Sequence, residues 1–428
     1  MKILIKGGRV IDPAQGMDKK ADVLIENGRI VEIKGTINAN AQEKINAEGK
    51  IVAPGLIDMH THLREPGREE VETVATAARS AVKGAFTTIC AMPNTLPPCD
   101  SQAHAKFLTE QGQKAAFANV LPIGTITKGR KGKEIAEFFE LKEAGVLSVS
   151  DDGDSVKDAE LMRRALEYAS MVEVLVISHA EDASLSAGGV MNEGFVSSVL
   201  GLAGIPSAAE NIIIERDIRL AKLADARIHI AHLSTAEGVE IVRRAKKNGI
   251  KVTAEVTPHH FTLSDRDVKT FDTNMKVNPP LRTPEDILAL KVGLKDGTID
   301  VIATDHAPHL ENEKEKEFDY APFGMIGLET ALSLSVMALV KEGYLDWPGL
   351  IRKLSFNPAK ILKYDRGTLK PGSSADIVII DPEKKWTYSA KLGESKASNS
   401  PFGGREMTAA ANYVIVGGKV VVKNGEII

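Results

Sequence analysis

Two histidines flanking a single residue, His60 and His62, lie in the segment that begins at Asp58, directly after the apolar run Ile51-Val52-Ala53-Pro54-Gly55-Leu56-Ile57. On a strand, alternate side chains share a face, so both imidazoles would point the same way and could hold one metal ion between them. A His-x-His pair alone is common on solvated strands, and its weight here comes from the rest of the chain. Four later segments each set a His or Asp just after a strand-like run: Val146-Leu147-Ser148-Val149-Ser150-Asp151-Asp152-Gly153, Val174-Leu175-Val176-Ile177-Ser178-His179, Ile228-His229-Ile230-Ala231-His232 and Val301-Ile302-Ala303-Thr304-Asp305. Two divalent ions need terminal imidazoles, a bridging carboxylate and a water that becomes hydroxide near neutral pH. His60, His62, Asp152 or Asp151, His179, His232 and Asp305 offer that set, and its chemistry is metal-assisted hydrolysis.

One ligand after each of several strands is how a parallel barrel gathers a site at one rim. Eight candidate strands end near Met59, Met92, Ile123, Ser150, Ser178, Ala231, Val256 and Thr304. Between them lie amphipathic stretches of helix length: Glu69 to Lys83, Glu134 to Ala144, Ala159 to Met171, Ala208 to Leu223, Ala236 to Asn248 and Glu285 to Lys295. This alternation predicts an α/β fold, a (β/α)8 TIM barrel with insertions. The runner-up is an open doubly wound sheet, weakened because no Gly-rich phosphate loop follows the first strand. The first fifty residues read as a β-meander broken at Gly7-Gly8 and Asn27-Gly28, and the last sixty repeat the style. Ile5-Lys6-Gly7-Gly8-Arg9-Val10 is echoed by Ile415-Val416-Gly417-Gly418-Lys419-Val420. The two ends are expected to form one small β-sandwich domain, residues 1–53 with 366–428, around a catalytic barrel of residues 54–365.

At 428 residues the chain has room for one large barrel and a smaller domain. Its apolar fraction of 43% and charged fraction of 26% are those of a globular protein. A net charge of -4 gives no general attraction to nucleic acid or to anionic membranes, and neither is expected as a partner. Met1-Lys2-Ile3-Leu4-Ile5 reads as a strand start and not as a secretion signal, so a cytoplasmic location is expected. The two cysteines, Cys90 and Cys99, are too few for a disulfide framework and read as reduced thiols, Cys90 as a small buried hydrophobe. The charged run Glu311-Asn312-Glu313-Lys314-Glu315-Lys316-Glu317 reads as a solvated loop, with a gating role as the alternative.

Together, Asp58-Met59-His60-Thr61-His62-Leu63-Arg64-Glu65-Pro66-Gly67, Ala91-Met92-Pro93-Asn94-Thr95, Ser150-Asp151-Asp152-Gly153, Asn278-Pro279-Pro280-Leu281-Arg282 and Ala303-Thr304-Asp305-His306-Ala307-Pro308-His309 resemble the type I dihydroorotases of the amidohydrolase superfamily. The resemblance covers essentially the whole chain. It implies a hydrolase of de novo pyrimidine biosynthesis that cyclises N-carbamoyl-L-aspartate to (S)-dihydroorotate reversibly. It implies two Zn2+ ions per subunit, with His60, His62 and Asp305 serving the more buried one and His179 and His232 the other. Asp152 would bridge them, with Asp151 still open as the alternative. Asp305 would be both ligand and catalytic proton shuttle. Related hydantoinase-like enzymes bridge their metals with a carboxylated lysine, for which no suitable lysine is evident here.

For the substrate, the resemblance implies that Arg64 grips the carboxylate, helped by Asn94 and His309, and that Asn278 and the backbone near Phe323 and Gly324 read the ring amides. The competing reading of Arg64 is a surface ion pair with Glu65 or Glu69. His259 and His260 read as structural, since the ligand set is complete without them, and His104 as plain surface. Alternatives to the main reading are another cyclic amidase, such as an allantoinase or hydantoinase, and a dihydroorotase-like subunit that needs or scaffolds an aspartate transcarbamoylase. Homodimers are common in the family, and a homodimer is the expectation.

Overall fold

The computed structural model describes residues 1–428. Its centre is eight short parallel strands: β1 (Leu56–Thr61), β2 (Phe86–Ala91), β3 (Asn119–Pro122), β4 (Ser148–Val149), β5 (Leu175–Ser178), β6 (Ile228–Ile230), β7 (Val252–Val256) and β8 (Val301–Ile302). Each ends within two residues of the position expected from the sequence. Neighbours in the sheets follow chain order, β1 to β3 in one arc and β4 to β8 in another. Single parallel bridges, Gly124 to Val149 and Thr61 to His306, join the arcs at both edges. Nowhere does the order reverse, as it must at the switch point of a doubly wound sheet. β1 and β2 are buried at every residue, as strands covered on both faces must be.

Helices return the chain between strands. Val74–Lys83, Ala159–Val172, Ser207–Leu223, Ala236–Lys247 and Pro284–Asp296 lie where amphipathic periodicity predicts them. Thr73, Asp158, Thr235 and Thr283 cap four of them by accepting from first-turn backbone N–H groups, and Pro284 fits the first helical position, where no N–H is needed. The cap at Thr73 explains why the first helix starts later than Glu69. The helix expected from Glu134 shrinks to Phe138–Glu143, because Ile135 bridges back to Thr127. Gln102–Ala115 is a helix not expected from the sequence; it buries only Ala105, Leu108 and Gly112, too narrow a stripe to stand out.

The main apolar core lies between strands and helices, with Phe86, Phe138 and Phe261 among its largest fully buried side chains. Truncating Phe86, which opens β2 beside Leu56, leaves a cavity the surrounding strands cannot close. Phe86→Ala is expected to cost about 3–5 kcal/mol of stability, read as a lower urea midpoint.

The two chain ends meet in one nine-stranded sheet. Strand Ile51–Pro54 runs parallel to Lys2–Asp12 on one side and antiparallel to Ile377–Thr387 on the other. The alternation of side chains along Ile377-Val378-Ile379-Ile380 splits this sheet between two cores. Ile377 and Ile379 pack with Ile3, Ile5, Val23 and Ile25, while Val378 and Ile380 join the main core. No helix is long and apolar enough to cross a membrane.

Candidate metal centre

The C-terminal ends of β1, β4, β5, β6 and β8 bring the six candidate ligands to one place. Asp152 lies in the middle. Its Oδ1 is 3.3 Å from His60 Nε2 and 3.4 Å from both His179 Nδ1 and His232 Nε2, and its Oδ2 is 3.4 Å from His62 Nε2. Asp305 Oδ1 is 3.0 Å from His62 Nε2 and 3.4 Å from His60 Nε2. His179 Nδ1 and His232 Nε2 face each other at 2.8 Å. All six residues are buried.

The adjacent Asp151 faces elsewhere. Its Oδ1 accepts from the backbone N–H groups of Ile126 and Thr127 at 2.8 and 3.0 Å, and its Oδ2 accepts from Thr127 Oγ1. That carboxylate is consumed in holding the loop after β3.

The donor set fits cations. His60 Nε2 and Asp152 Oδ1 are buried and make no hydrogen bond, although they face each other at 3.3 Å. Two triads, His60 with Asp152 and His232, and His60 with His62 and Asp305, bring one donor atom per residue within 4.8 Å of one another. Converging imidazole nitrogens and carboxylates at such spacing suit zinc. Burial alone would raise the carboxyl pKa values of Asp152 and Asp305; His60, joined by His62 at Asp305, overcomes it and holds both below the ordinary range.

The residues around the cluster hold it in register. Asp58 accepts from Thr304 Oγ1 at 2.5 Å, and from the backbone N–H groups of Thr304 and His60, both at 3.1 Å, which ties β1 to β8 beneath the ligands. Burial pushes its carboxyl up to about 7. Arg64, His232 and Asp305 all adopt positive φ, 61°, 30° and 49°. Three non-glycine residues in this region at one rim are backbone strain kept where side chains must be aimed.

Beside the cluster lies a cavity of about 210 Å³. His62, Asp152, His179 and Asp305 line it together with Arg64, Asn94, Asn278, His309, Phe323 and Gly324, so every substrate residue expected from the sequence borders this one space. A larger cavity of about 510 Å³, near Glu311 and Lys391, holds none of the candidate ligands.

Arg64 pairs with neither of its acidic neighbours, since Glu65 caps Val74 N–H and Glu69 accepts from Gly67 N–H. Its Nε donates to Pro308 O at 3.1 Å. Burial, aided by nearby Arg68, lowers its pKa to about 10, which leaves it a cation at neutral pH. Asn94 Oδ1 lies 2.8 Å from His62 Nδ1. His309 Nε2 donates to Phe323 O at 2.8 Å, and burial with the Arg64 charge keeps its imidazole neutral, with a pKa lowered to about 3. Gly324 has φ 130°, and a Cβ there would come within 2.8 Å of the Ala307 Cβ and 3.0 Å of His309 Nε2. Only glycine leaves the cavity wall where it is.

Several residues at the site were not anticipated. Glu181 Oε2 lies 3.3 Å from His179 Nε2, and both its oxygens are 3.2 Å from Asn278 Nδ2. With its amide hydrogens turned to Glu181, Asn278 keeps its carbonyl oxygen for a donor in the cavity. Asn399 joins the walls, accepting from His309 N–H at 3.1 Å and donating to Ala307 O and Gly324 O at 3.0 and 3.1 Å. Glu255 is fully buried on β7, and its signal in the sequence is a lone acid in the run Val252-Thr253-Ala254-Glu255-Val256.

Of the remaining histidines, His260 Nε2 donates to Pro279 O at 2.9 Å, beside Asn278, and His104 sits near Ser101 on a distant helix. Both cysteines are unpaired and buried, and burial pushes the Cys99 thiol up to about 12 and the Cys90 thiol higher still. The charged run after β8 is solvated as expected at Glu311, Asn312, Glu315, Lys316 and Glu317, and its inward-turned exception is Lys314. Lys314 is buried with Nζ donating to Pro322 O at 2.8 Å, Lys276 Nζ donates to Phe318 O at 2.7 Å, and Glu313 accepts from Arg68 at 2.7 Å.

Comparison with known proteins agrees with this geometry. Residues 49–238 match the sequence model of the dihydro-orotase-like family. The chain is 54% identical over 424 residues to the dihydroorotase of Geobacter metallireducens, covering 99% of this chain and 100% of that one. It is 52% identical to the dihydroorotase of Pelotomaculum thermopropionicum, with 99% of both covered. Among solved structures it superposes on the L-hydantoinase (dihydropyrimidinase) of Arthrobacter aurescens with a TM-score of 0.90 at 26% identity, covering 100% of this chain and 97% of that one. The D-hydantoinase of Bacillus sp. AR9 gives a TM-score of 0.86, also at 26% identity, covering 100% of this chain and 96% of that one. Full-length identity above one half, carried by a chain whose His and Asp residues converge beside a small polar cavity, places this protein in the dihydroorotase family.

Proposed function

We propose that the cluster around Asp152 holds two zinc ions and that this protein carries out the dihydroorotase reaction, the reversible closure of N-carbamoyl-L-aspartate to (S)-dihydroorotate in de novo pyrimidine biosynthesis. The observation that carries this reading is the single cavity in which Arg64, Asn94, Asn278 and His309 face His62, Asp152, His179 and Asp305. His60, His62 and Asp305 would serve one ion, His179 and His232 the other, and Asp152, in contact with all four imidazoles, would bridge them. Zinc held there supplies Lewis acidity, which lowers the pKa of a water and polarises a carbonyl.

The protein's own residues do the rest. The Arg64 guanidinium, a cation held in place by Pro308 O, meets the substrate carboxylate, and its planar fork suits two parallel hydrogen bonds. Asn278 offers its carbonyl oxygen to a ring N–H, and the neutral His309 fixes the backbone of Phe323. Asp305 borders both cluster and cavity, so it can take the proton of the attacking water and return it to the leaving amide nitrogen. In the biosynthetic direction the same proton transfers run backward.

Sequential strand order and the two bridges between the arcs support reading the parallel strands as one closed (β/α)8 barrel over residues 54–365. Residues 1–53 with 366–428 would then be the β-sandwich domain, with one apolar face on its own core and one on the barrel.

The test is zinc content together with the rate of dihydroorotate ring opening. Dialysis against a chelator is expected to abolish turnover, and added zinc to restore it. Ring opening of an unsubstituted hydantoin faster than that of dihydroorotate would overturn the substrate reading in favour of another cyclic amidase. Bound zinc with no turnover on either substrate would favour a subunit that needs an aspartate transcarbamoylase.

A further inference from the structure

Behind the cluster a second line of buried groups runs away from the cavity, and no step of the proposed reaction uses it. Glu255 is fully buried on β7. Its Oε1 lies 2.7 Å from His60 Nδ1 and 3.3 Å from the backbone nitrogen of His232. Its Oε2 lies 3.2 Å from Nε2 of His229, whose Nδ1 lies 2.8 Å from Thr253 Oγ1. One carboxylate thus touches three strands: β1 through His60, β6 through His229 and His232, and its own β7.

Two physical points give this arrangement a purpose. A neutral imidazole carries its proton on one nitrogen, and the partner of the other nitrogen decides which. With Nδ1 turned to Glu255, Nε2 is the atom His60 presents to a cation, and it is left without a hydrogen-bond partner while facing Asp152 and Asp305. The second point is charge. Glu255 adds a third anion to Asp152 and Asp305 in one buried region, and uncompensated buried charge is costly. Divalent cations at the cluster balance it.

We propose that Glu255 is a positioning residue of the metal centre, which locks His60 with Nε2 aimed at the ion and supplies buried negative charge that raises zinc affinity, with His229 bracing the far oxygen. The proposal rests on the reading of the cluster as a metal centre. Its hold on the His232 backbone extends the same control to a ligand of the second ion, at a residue whose φ of 30° needs support.

Glu255→Gln tests it, because the amide keeps the shape and can still accept from His60 while the charge is lost. Zinc affinity, measured by competition with a chromophoric chelator, is expected to fall about 10–100-fold, while the thermal midpoint of the metal-free protein stays near the parent's. Turnover is expected to recover largely at saturating zinc, which a residue that only shapes the core would not allow. Parent-like zinc affinity in Glu255→Gln overturns the proposal, whatever happens to activity. If that variant does not fold, His229→Gln reads the same line from its far end, with weaker zinc binding expected and unchanged binding overturning the proposal. A parent protein that binds no zinc overturns the metal-centre reading itself, a failure visible before either variant is made.

Discussion

Asp305→Asn is expected to lower kcat for dihydroorotate ring opening by about 10²–10⁴-fold, the usual contribution of a positioned acid–base group. The asparagine is isosteric and can keep one contact to His62, so the fold and the cavity wall survive. What it cannot do is accept a proton from water and release it to the departing nitrogen. Arg64, Asn94 and Asn278 remain in place, so KM should change far less than kcat. Loss in kcat with little loss in KM marks a group that acts in the transition state. Steady-state kinetics at saturating zinc separate this from a mere loss of metal. A variant retaining a tenth or more of parental kcat would remove Asp305 from the proton-transfer role.

The second large effect is expected at Arg64. Truncating one partner of a buried, hydrogen-bonded charge pair costs about 2–5 kcal/mol. Converted at 1.36 kcal/mol per decade, Arg64→Met should lower kcat/KM for dihydroorotate by about 30- to 5000-fold. Arg64→Lys should recover only part of this, because a lysine offers a point charge and not a planar fork. The substrate itself provides a control: dihydrouracil lacks the carboxylate, so whatever slow ring opening the parent shows on it should be little affected by Arg64→Met. Equal losses on both substrates would mean that Arg64 shapes the cavity and does not bind the carboxylate.

Much of this site was legible in the sequence because each ligand follows a strand, and strand ends can be located from short apolar β-branched runs. The choice between Asp151 and Asp152 was not legible. Both follow β4, and what separates them is the pair of backbone N–H groups at Ile126 and Thr127, which a tertiary contact from the β3 loop delivers. Glu255 had a local signal, an acid inside an apolar strand, but its partner His60 lies 195 positions away. The loop after β8 is solvated as its composition suggests, except at one residue. Composition reports how many charges a segment has but not which way they point, and Lys314 turns its ammonium inward to the backbone. Burial lowers the pKa of that ammonium to about 7. The helix Gln102–Ala115 escaped notice because three buried positions among fourteen residues make a weak periodic signal.

In the terminal sheet, Val52 is the register partner of Ile379, so a strand made early waits for one made near the end of synthesis. Until then, Ile3, Ile5, Val23 and Ile25 lack Leu369, Ile377, Ile379 and Ile415 from the cluster that buries them, and an unpaired strand edge is exposed. Pairings this distant in sequence make folding slow and open to misassociation. The barrel is thus bracketed by a clasp that can fasten only once nearly the whole chain has emerged, so a nascent chain stalled just short of residue 377 would carry all six candidate metal ligands yet remain unclasped and prone to aggregate.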